Sequence, residues 1–303
     1  LNMRTLIIKL GASGDVVRTT TLLHILKGEV DWLTSDANVE LLEGIKGIRV
    51  FPWSRRSELR KNTYHLLINL EDTIEVSAEI RHIEHKSLYG AYLAEDDSHS
   101  YTESSRSWFD MGRISRFGIA EADRLKFQNR LSFQHLVFRG LGYDFRGESY
   151  LLPPSASSSL AGDVAIVAAS GSTWPMKRWA FYDELAEMLR RDGLQVNCLP
   201  KRKTMKEHLA DVRNHRLLIS GDTLPMHLAL GSNILCVTIF ICTSPWEIHD
   251  YGLQQKLVSR KLRDYFYRRT CDPAASTSVS LSDVYKSAIQ MLGETRWRKT
   301  ATS

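Results

Sequence analysis

Residues 7–26, IIKLGASGDVVRTTTLLHIL, decide how this chain is read. An apolar strand pattern runs into a glycine-bearing loop and then a helical pattern, the order in which many nucleotide-binding α/β domains open. The glycines are not spaced as Gly-x-Gly-x-x-Gly, and no Gly-Lys-Ser/Thr follows, so the dinucleotide fingerprint and the P-loop are both missing. Asp15 also stands where an anion-binding loop would be poorly served by a carboxylate. Gly11 and Gly14 let the backbone turn tightly after the strand. The helix dipole favours a carboxylate at the helix start, so one reading has Asp15 or Ser13 capping helix 16–28. The other has Asp15 facing a cleft and taking a proton. Both hold together only if one oxygen caps and the other stays free.

Outward from this stretch, the first half alternates strands with short helical patterns. Strands are expected at 4–10, 29–35, 48–53 and 64–71, with the first helix stopped by Gly28 and a short helix after Ser35. That alternation implies a parallel sheet with right-handed crossovers. From 72 to 150 the pattern weakens; EDDSHSYTESSR reads as a polar loop and LSFQHLVFRGLGY (131–143) as a helix. PPSASSSLAGD (153–163) is rich in Pro and Ser and is the best linker candidate. A second alternation follows, with strands at 164–170, 194–200, 216–222, 234–241 and 256–259. Its helices are expected at 180–193, 206–214, after Asp222, and at 280–292 with Ser282 as N-cap, ahead of a frayed tail. The expected fold class is therefore α/β, with two parallel-sheet domains over 1–155 and 156–303. A ligand would lie between the carboxyl ends of the two sheets.

Composition narrows the function classes. Of 303 residues, 43% are hydrophobic and 25% charged, the balance of an ordinary globular protein. No apolar run approaches the roughly 18 residues needed to span a bilayer, and the N-terminus has no signal-peptide pattern, so a cytoplasmic protein is expected. The four cysteines form no Cys-x-x-Cys pair, which argues against a zinc site or a disulfide framework. Net charge is +5, concentrated in RRSELRK (55–61), KRKTMK (201–206) and RKLRDYFYRR (260–269). Such clusters suit nucleic acid, an anionic membrane surface or a phosphorylated small molecule, or are simply solvated faces. No nucleic-acid-binding motif accompanies them.

Two segments of the second half could carry chemistry. ISGDTLPMHLALG (219–231) leads from a buried strand into a helix, whose N-terminal N–H groups and dipole suit a phosphate. Asp222 and Thr223 stand at that turn and His227 one turn on. The plainer reading makes Asp222 or Thr223 an N-cap and His227 a partly buried helix residue. In SGSTWPMKRW (170–179), Ser170, Ser172 and Thr173 offer hydroxyl donors, Gly171 permits close approach and Lys177 adds a point charge. Together these suit a diphosphate without a metal ion. The plainer reading is a surface Lys-Arg pair beside a core tryptophan, Trp179.

The ordered set of LIIKLGASGDVVRTTTLL, KRW with FYDELAEML and RDG, and SGDTLPMHLALG followed by TSPWEIHDYG resembles the family-9 glycosyltransferases, which include the lipopolysaccharide heptosyltransferases. The resemblance runs through nearly the whole chain and is weakest across 72–150. It implies a GT-B fold: two Rossmann-like domains facing across a cleft, the terminal helix crossing back to the first. It implies an inverting, metal-independent enzyme with no cofactor beyond its ADP-sugar donor, typically ADP-heptose. A glycan or glycolipid acceptor would bind the first domain around Gly11, Ser13 and Gly14, with Asp15 matching the proposed general base. The donor would bind the second domain through Ser170, Ser172, Thr173 and Lys177, the last on its phosphates, and through Asp222 and Thr223, with His227 in support. The basic clusters would then meet acidic groups at the inner face of the membrane, and nucleic acid is not expected.

Three departures from the family pattern concentrate in the donor half. Leu224 replaces a glycine after Asp-Thr, FICTSP (240–245) lacks a Gly and a Pro, and KRKTMKEH stands where a glycine-rich turn and a glutamate are usual, leaving the role of Glu207 open. The competing expectations are the same fold glycosylating a protein or small metabolite, and a nucleotide-sugar-binding or nucleic-acid-binding protein that has lost catalysis.

Overall fold

The computed structural model describes residues 3–168, 171 and 173–300, the side chains of 294–300 excepted. Contacts divide the chain into two units, Leu1–Pro154 with Trp246–His249, and Ser155–Pro245 with Asp250–Ser303. A four-residue segment from the second half of the sequence thus belongs to the first unit, which nothing in its sequence pattern signalled.

In unit 1 the elements are β1 (Arg4–Ile8), α1 (Ser13–Thr19), β2 (Glu29–Thr34), β3 (Ile48–Pro52), β4 (Thr63–Asn69), α2 (Ile74–Ile80), β5 (Glu84–Leu93), β6 (His99–Tyr101), α3 (Arg106–Phe109), α4 (Ile119–Gln128) and α5 (Phe133–Gly140). The sheet order is β3-β2-β1-β4-β5-β6. All pairings are parallel except β5 with β6. β1 is central and apolar, with Leu6, Ile7 and Ile8 fully buried, as a strand covered on both faces must be. After α1 the chain turns into β2 at Gly28, whose φ of +86° and approach to the Met3 carbonyl exclude a side chain.

Unit 2 contains β7 (Gly162–Val167), α6 (Tyr182–Arg191), β8 (Val196–Cys198), α7 (Met205–Arg213), β9 (His215–Gly221), α8 (Leu224–Gly231), β10 (Leu235–Phe240), β11 (Gln254–Val258), α9 (Leu262–Tyr265) and α10 (Leu281–Thr300). Its sheet runs β11-β10-β9-β7-β8, all parallel. Val164, Ile166, Leu217 and Ile219 meet Leu185 and Leu189 of α6 and Val284, Ala288 and Leu292 of α10 in its core. Trp179 is buried there and donates its indole N–H to the Val279 carbonyl at 2.9 Å.

Both sheets are therefore the doubly wound α/β class expected, and each order contains a point where successive connections leave in opposite directions. That switch point lies between β1 and β4 in unit 1 and between β7 and β9 in unit 2, and the loops beyond it form the natural binding crevice.

Several local expectations are corrected. The first helix starts at Ser13 and its α-helical part ends at Thr19, tightening into a 3₁₀ turn over Thr20–His24. The threonine run explains this. Thr19, Thr20 and Thr21 hydroxyls donate back to the Asp15, Val17 and Arg18 carbonyls at 2.6, 2.6 and 2.9 Å, which competes with regular α-helical bonding. The polar stretch expected to be a loop contains β6, which closes a hairpin with β5 through a turn at Glu95 and Asp96. The last helix begins at Leu281; Ser280, not Ser282, accepts from the Asp283 N–H at 3.1 Å. Its backbone stays helical to Thr300 where fraying was expected. Among the described residues no helix is long and apolar enough to cross a membrane.

Candidate active site

The loop after β1 reaches the unit 1 switch point, and a carboxylate is already bound there. Glu71, just beyond β4, accepts from the backbone N–H of Leu10 at 2.7 Å and of Gly11 at 3.2 Å. Lys9 Nζ pairs with the same Glu71 oxygen at 2.9 Å. Two of the loop's amides, those of Leu10 and Gly11, are thus taken by an internal anion, itself neutralised by an internal cation. Asn38 stitches the loop from the other side: its Nδ2 donates to the Leu10 carbonyl at 2.7 Å, and its Oδ1 accepts from the Ser13 hydroxyl at 2.7 Å. A Cβ at Gly11 would meet only Asn38 Nδ2, at 3.8 Å, so packing does not require that glycine.

This geometry revises the capping reading of Asp15. The N-cap of α1 is Ala12, with no side-chain cap bond, and Asp15 lies inside the first turn. Ser13 is committed to Asn38 rather than to a cap. Gly14 is buried within the helix. The Asp15 side chain, 35% exposed, pairs through Oδ1 with Arg18 at 2.9 Å. Its placement in the first turn agrees with the helix dipole, while its partner is a guanidinium one turn on.

The unit 2 switch point has a parallel construction. The loop after β7 brings Lys177 to the loop after β9, where Nζ donates to the Asp222 carbonyl at 2.6 Å and its carboxylate at 3.1 Å. The Thr243 hydroxyl, from the chain beyond β10, donates to the same carboxylate oxygen at 2.7 Å. Burial would raise the Asp222 pKa, but the Lys177 charge, His227 and the bonds from Thr243 and Lys177 outweigh it and hold the carboxyl below the usual carboxylate range. His227 itself is buried on α8. Thr223 occupies the N-cap position of α8 without a side-chain cap bond, and Leu224 is the first helical residue. Burial pushes the neighbouring Cys242 thiol up to about 11, with Lys177 opposing and Asp222 adding to the shift.

Thr173 and Gly171 are exposed, and a Cβ at Gly171 would meet nothing within 4 Å, so the start of this loop is open. Ser170 and Ser172 lie outside the described residues. Trp174 stands edge-on to Tyr267 at 5.3 Å, and the Arg269 guanidinium lies over its ring at 5.3 Å.

Several other charged residues have internal partners. Glu207 forms a capping box with Thr204 at the start of α7, accepting from its backbone N–H at 3.1 Å. In the first basic cluster Arg55 pairs with Glu58, while Arg56 and Arg60 pair with Glu79. In the second, Arg202 holds the fully buried Asp211 at 2.6 Å. Residue-by-residue reading missed Lys9, Arg18, Asn38, Glu71 and Thr243. For Lys9 and Arg18 a signal existed: each is a lone charge inside an otherwise apolar or small-residue run, at a position the fold then buries.

Solved structures resemble this chain along almost its full length. A family-9 glycosyl transferase from Veillonella parvula DSM 2008 superposes with a TM-score of 0.67 at 15% identity, covering 96% of this chain and 97% of that one. The E. coli heptosyltransferase WaaC with ADP gives 0.64 at 16% identity, covering 95% and 100%. E. coli ADP-heptose lps heptosyltransferase II gives 0.58 at 15% identity, covering 97% and 100%. The chain has the GT-B fold. One of these structures is described as a family-9 glycosyl transferase, the family that the sequence motifs resemble, and two as heptosyltransferases. No family model matches the sequence, and no curated protein matches it.

Proposed function

We propose that the protein is an inverting, metal-independent glycosyltransferase of the family-9 type, moving a sugar from an ADP-sugar to a glycan or glycolipid acceptor. One observation carries the reading: in a GT-B chain, the loop at the first switch point gives its Leu10 and Gly11 amides to Glu71 and leads into a helix turn that carries the part-exposed Asp15 carboxylate, paired with Arg18. Such a loop suits a hydroxyl that must lose a proton better than it suits a phosphate.

On this reading Asp15 accepts the proton of the acceptor hydroxyl as that oxygen bonds to the anomeric carbon. The bond from that carbon to the diphosphate breaks on the opposite face, which inverts the configuration. Negative charge grows on the departing ADP. Lys177 offsets it: an ammonium has three donors, two of them point at Asp222, and the third is assigned to the diphosphate. Asp222, which phosphate would repel, orients Lys177 and meets sugar hydroxyls. Heptose as the sugar, a lipopolysaccharide core as the acceptor and a position at the inner membrane face complete the proposal, on the strength of the motif resemblance.

A thermal-shift panel of ADP, UDP, GDP and ADP-heptose tests the donor half. ADP and ADP-heptose are expected to raise the melting temperature and UDP and GDP to leave it unchanged. No shift with any adenine nucleotide contradicts the proposal. A shift without sugar transfer to heptose-deficient lipopolysaccharide favours a binding protein that has lost catalysis.

A further inference from the structure

Arg18 lies one turn beyond Asp15 on α1, and its side chain is 7% exposed. A guanidinium keeps its charge wherever it is placed, so burying one demands partners. Beside Arg18 stand Asp15 at 2.9 Å, Glu247 at 3.6 Å, the Phe133 ring at 4.4 Å and the Trp108 ring at 5.2 Å. Trp108 in turn meets Phe133 edge-on at 5.0 Å.

Glu247 arrives on the segment Trp246–His249, and that segment is clamped to unit 1. The Phe133 N–H donates to the Glu247 carbonyl at 3.0 Å. Trp246 lies under the Arg130 guanidinium at 3.7 Å and edge-on to Phe127 at 5.8 Å. His249 meets Phe145 edge-on at 5.0 Å. The Glu247 side chain is buried and also has Lys126 at 3.8 Å. The guanidinium is therefore shared between a carboxylate that solvent reaches and one that it does not. A planar fork of donors fixes the direction of its partner as well as its charge.

We propose that Arg18 and Glu247 are positioning residues for Asp15: Glu247 orients the Arg18 guanidinium, and Arg18 holds the Asp15 carboxylate in the orientation from which it takes the acceptor proton. The role of Asp15 as base rests on the transferase reading; the clamp itself does not. Lys126 of α4 is a further cation beside Glu247, at 3.8 Å.

The test follows the Asp15 carboxyl carbon by NMR through a pH titration of the intact protein, with Asp15→Asn to assign the resonance. Arg18→Met removes the cation but keeps an apolar side chain between Phe133 and Trp108. Its Asp15 midpoint is expected to rise by about one pH unit or more. Glu247→Gln is isosteric and leaves more of the Arg18 field on Asp15, so its midpoint is expected to fall by ~0.5 pH unit. The acid limb of kcat/KM should move in the same two directions with the donor KM unchanged. Midpoints that stay at the wild-type value in both variants, or in a folded Glu247→Gln alone, overturn the proposal. If the midpoints move but wild type transfers no sugar, the transferase reading falls and the clamp stands. If wild type transfers sugar and the midpoints stay, the clamp alone falls.

Discussion

At the scale of single residues, the two switch points share one device, a lysine paired with a carboxylate from the neighbouring loop: Lys9 with Glu71 and Lys177 with Asp222. In the second pair both side chains are less than one-fifth exposed, so removing one partner leaves a charge poorly solvated. Lys177→Met is expected to cost about 3 kcal/mol at neutral pH and to raise the donor KM. The sign of the pH dependence follows from the depressed Asp222 pKa. Its contribution is present above the ordinary carboxyl value of 3.8 and is lost as pH falls through the lower folded value. Chemical denaturation should therefore show the gap between wild type and Lys177→Met closing below about pH 4, and a gap that is constant down to pH 2 would contradict the pairing. The sequence made Lys177 and Asp222 visible separately, through residue type and position at strand ends. It could not show that they bind each other, because the pairing crosses 45 residues and depends on sheet order.

At the scale of elements, the strongest sequence signals were buried strands followed by punctuated helices, and β1, β4, β7, β9 and α6 appear where such signals stood. The losses came where side chains override the pattern. Thr19–Thr21 turn an apparently continuous helix into a short α-helix and a 3₁₀ turn through their own backbone bonds. β6 was hidden because a three-residue edge strand with Ser and His needs only backbone pairing to β5. α7 offers a clean separation of structural and functional readings. Thr204→Ala and Glu207→Ala each break the capping box and are expected to cost about 1 kcal/mol, lowering Tm by ~2–4 °C. Neither should change the donor KM; a raised KM in Glu207→Ala with unchanged Tm would return that glutamate to the donor site.

At the scale of the whole molecule, the alternation of strands and helices and the Pro/Ser stretch near 155 were legible as sequence, whereas the assignment of Trp246–His249 to unit 1 was not. Four residues carry too little periodicity to declare which core they join. The consequence is measurable: residues 1–154 expressed alone lack the Glu247 carboxylate and the Trp246 contact. They are expected to melt lower than the same chain supplied with a peptide of residues 243–252, and equal melting would show the segment to be dispensable. On the proposed reading, Asp15 takes the acceptor proton in sugar transfer. This role is tested most directly by ADP release from ADP-heptose in the presence of heptose-deficient lipopolysaccharide, wild type against Asp15→Asn. Wild type is expected to release ADP in an acceptor-dependent way, and the variant at a rate at least ~100-fold lower with its ADP thermal shift retained. Equal rates in the two proteins would contradict that role.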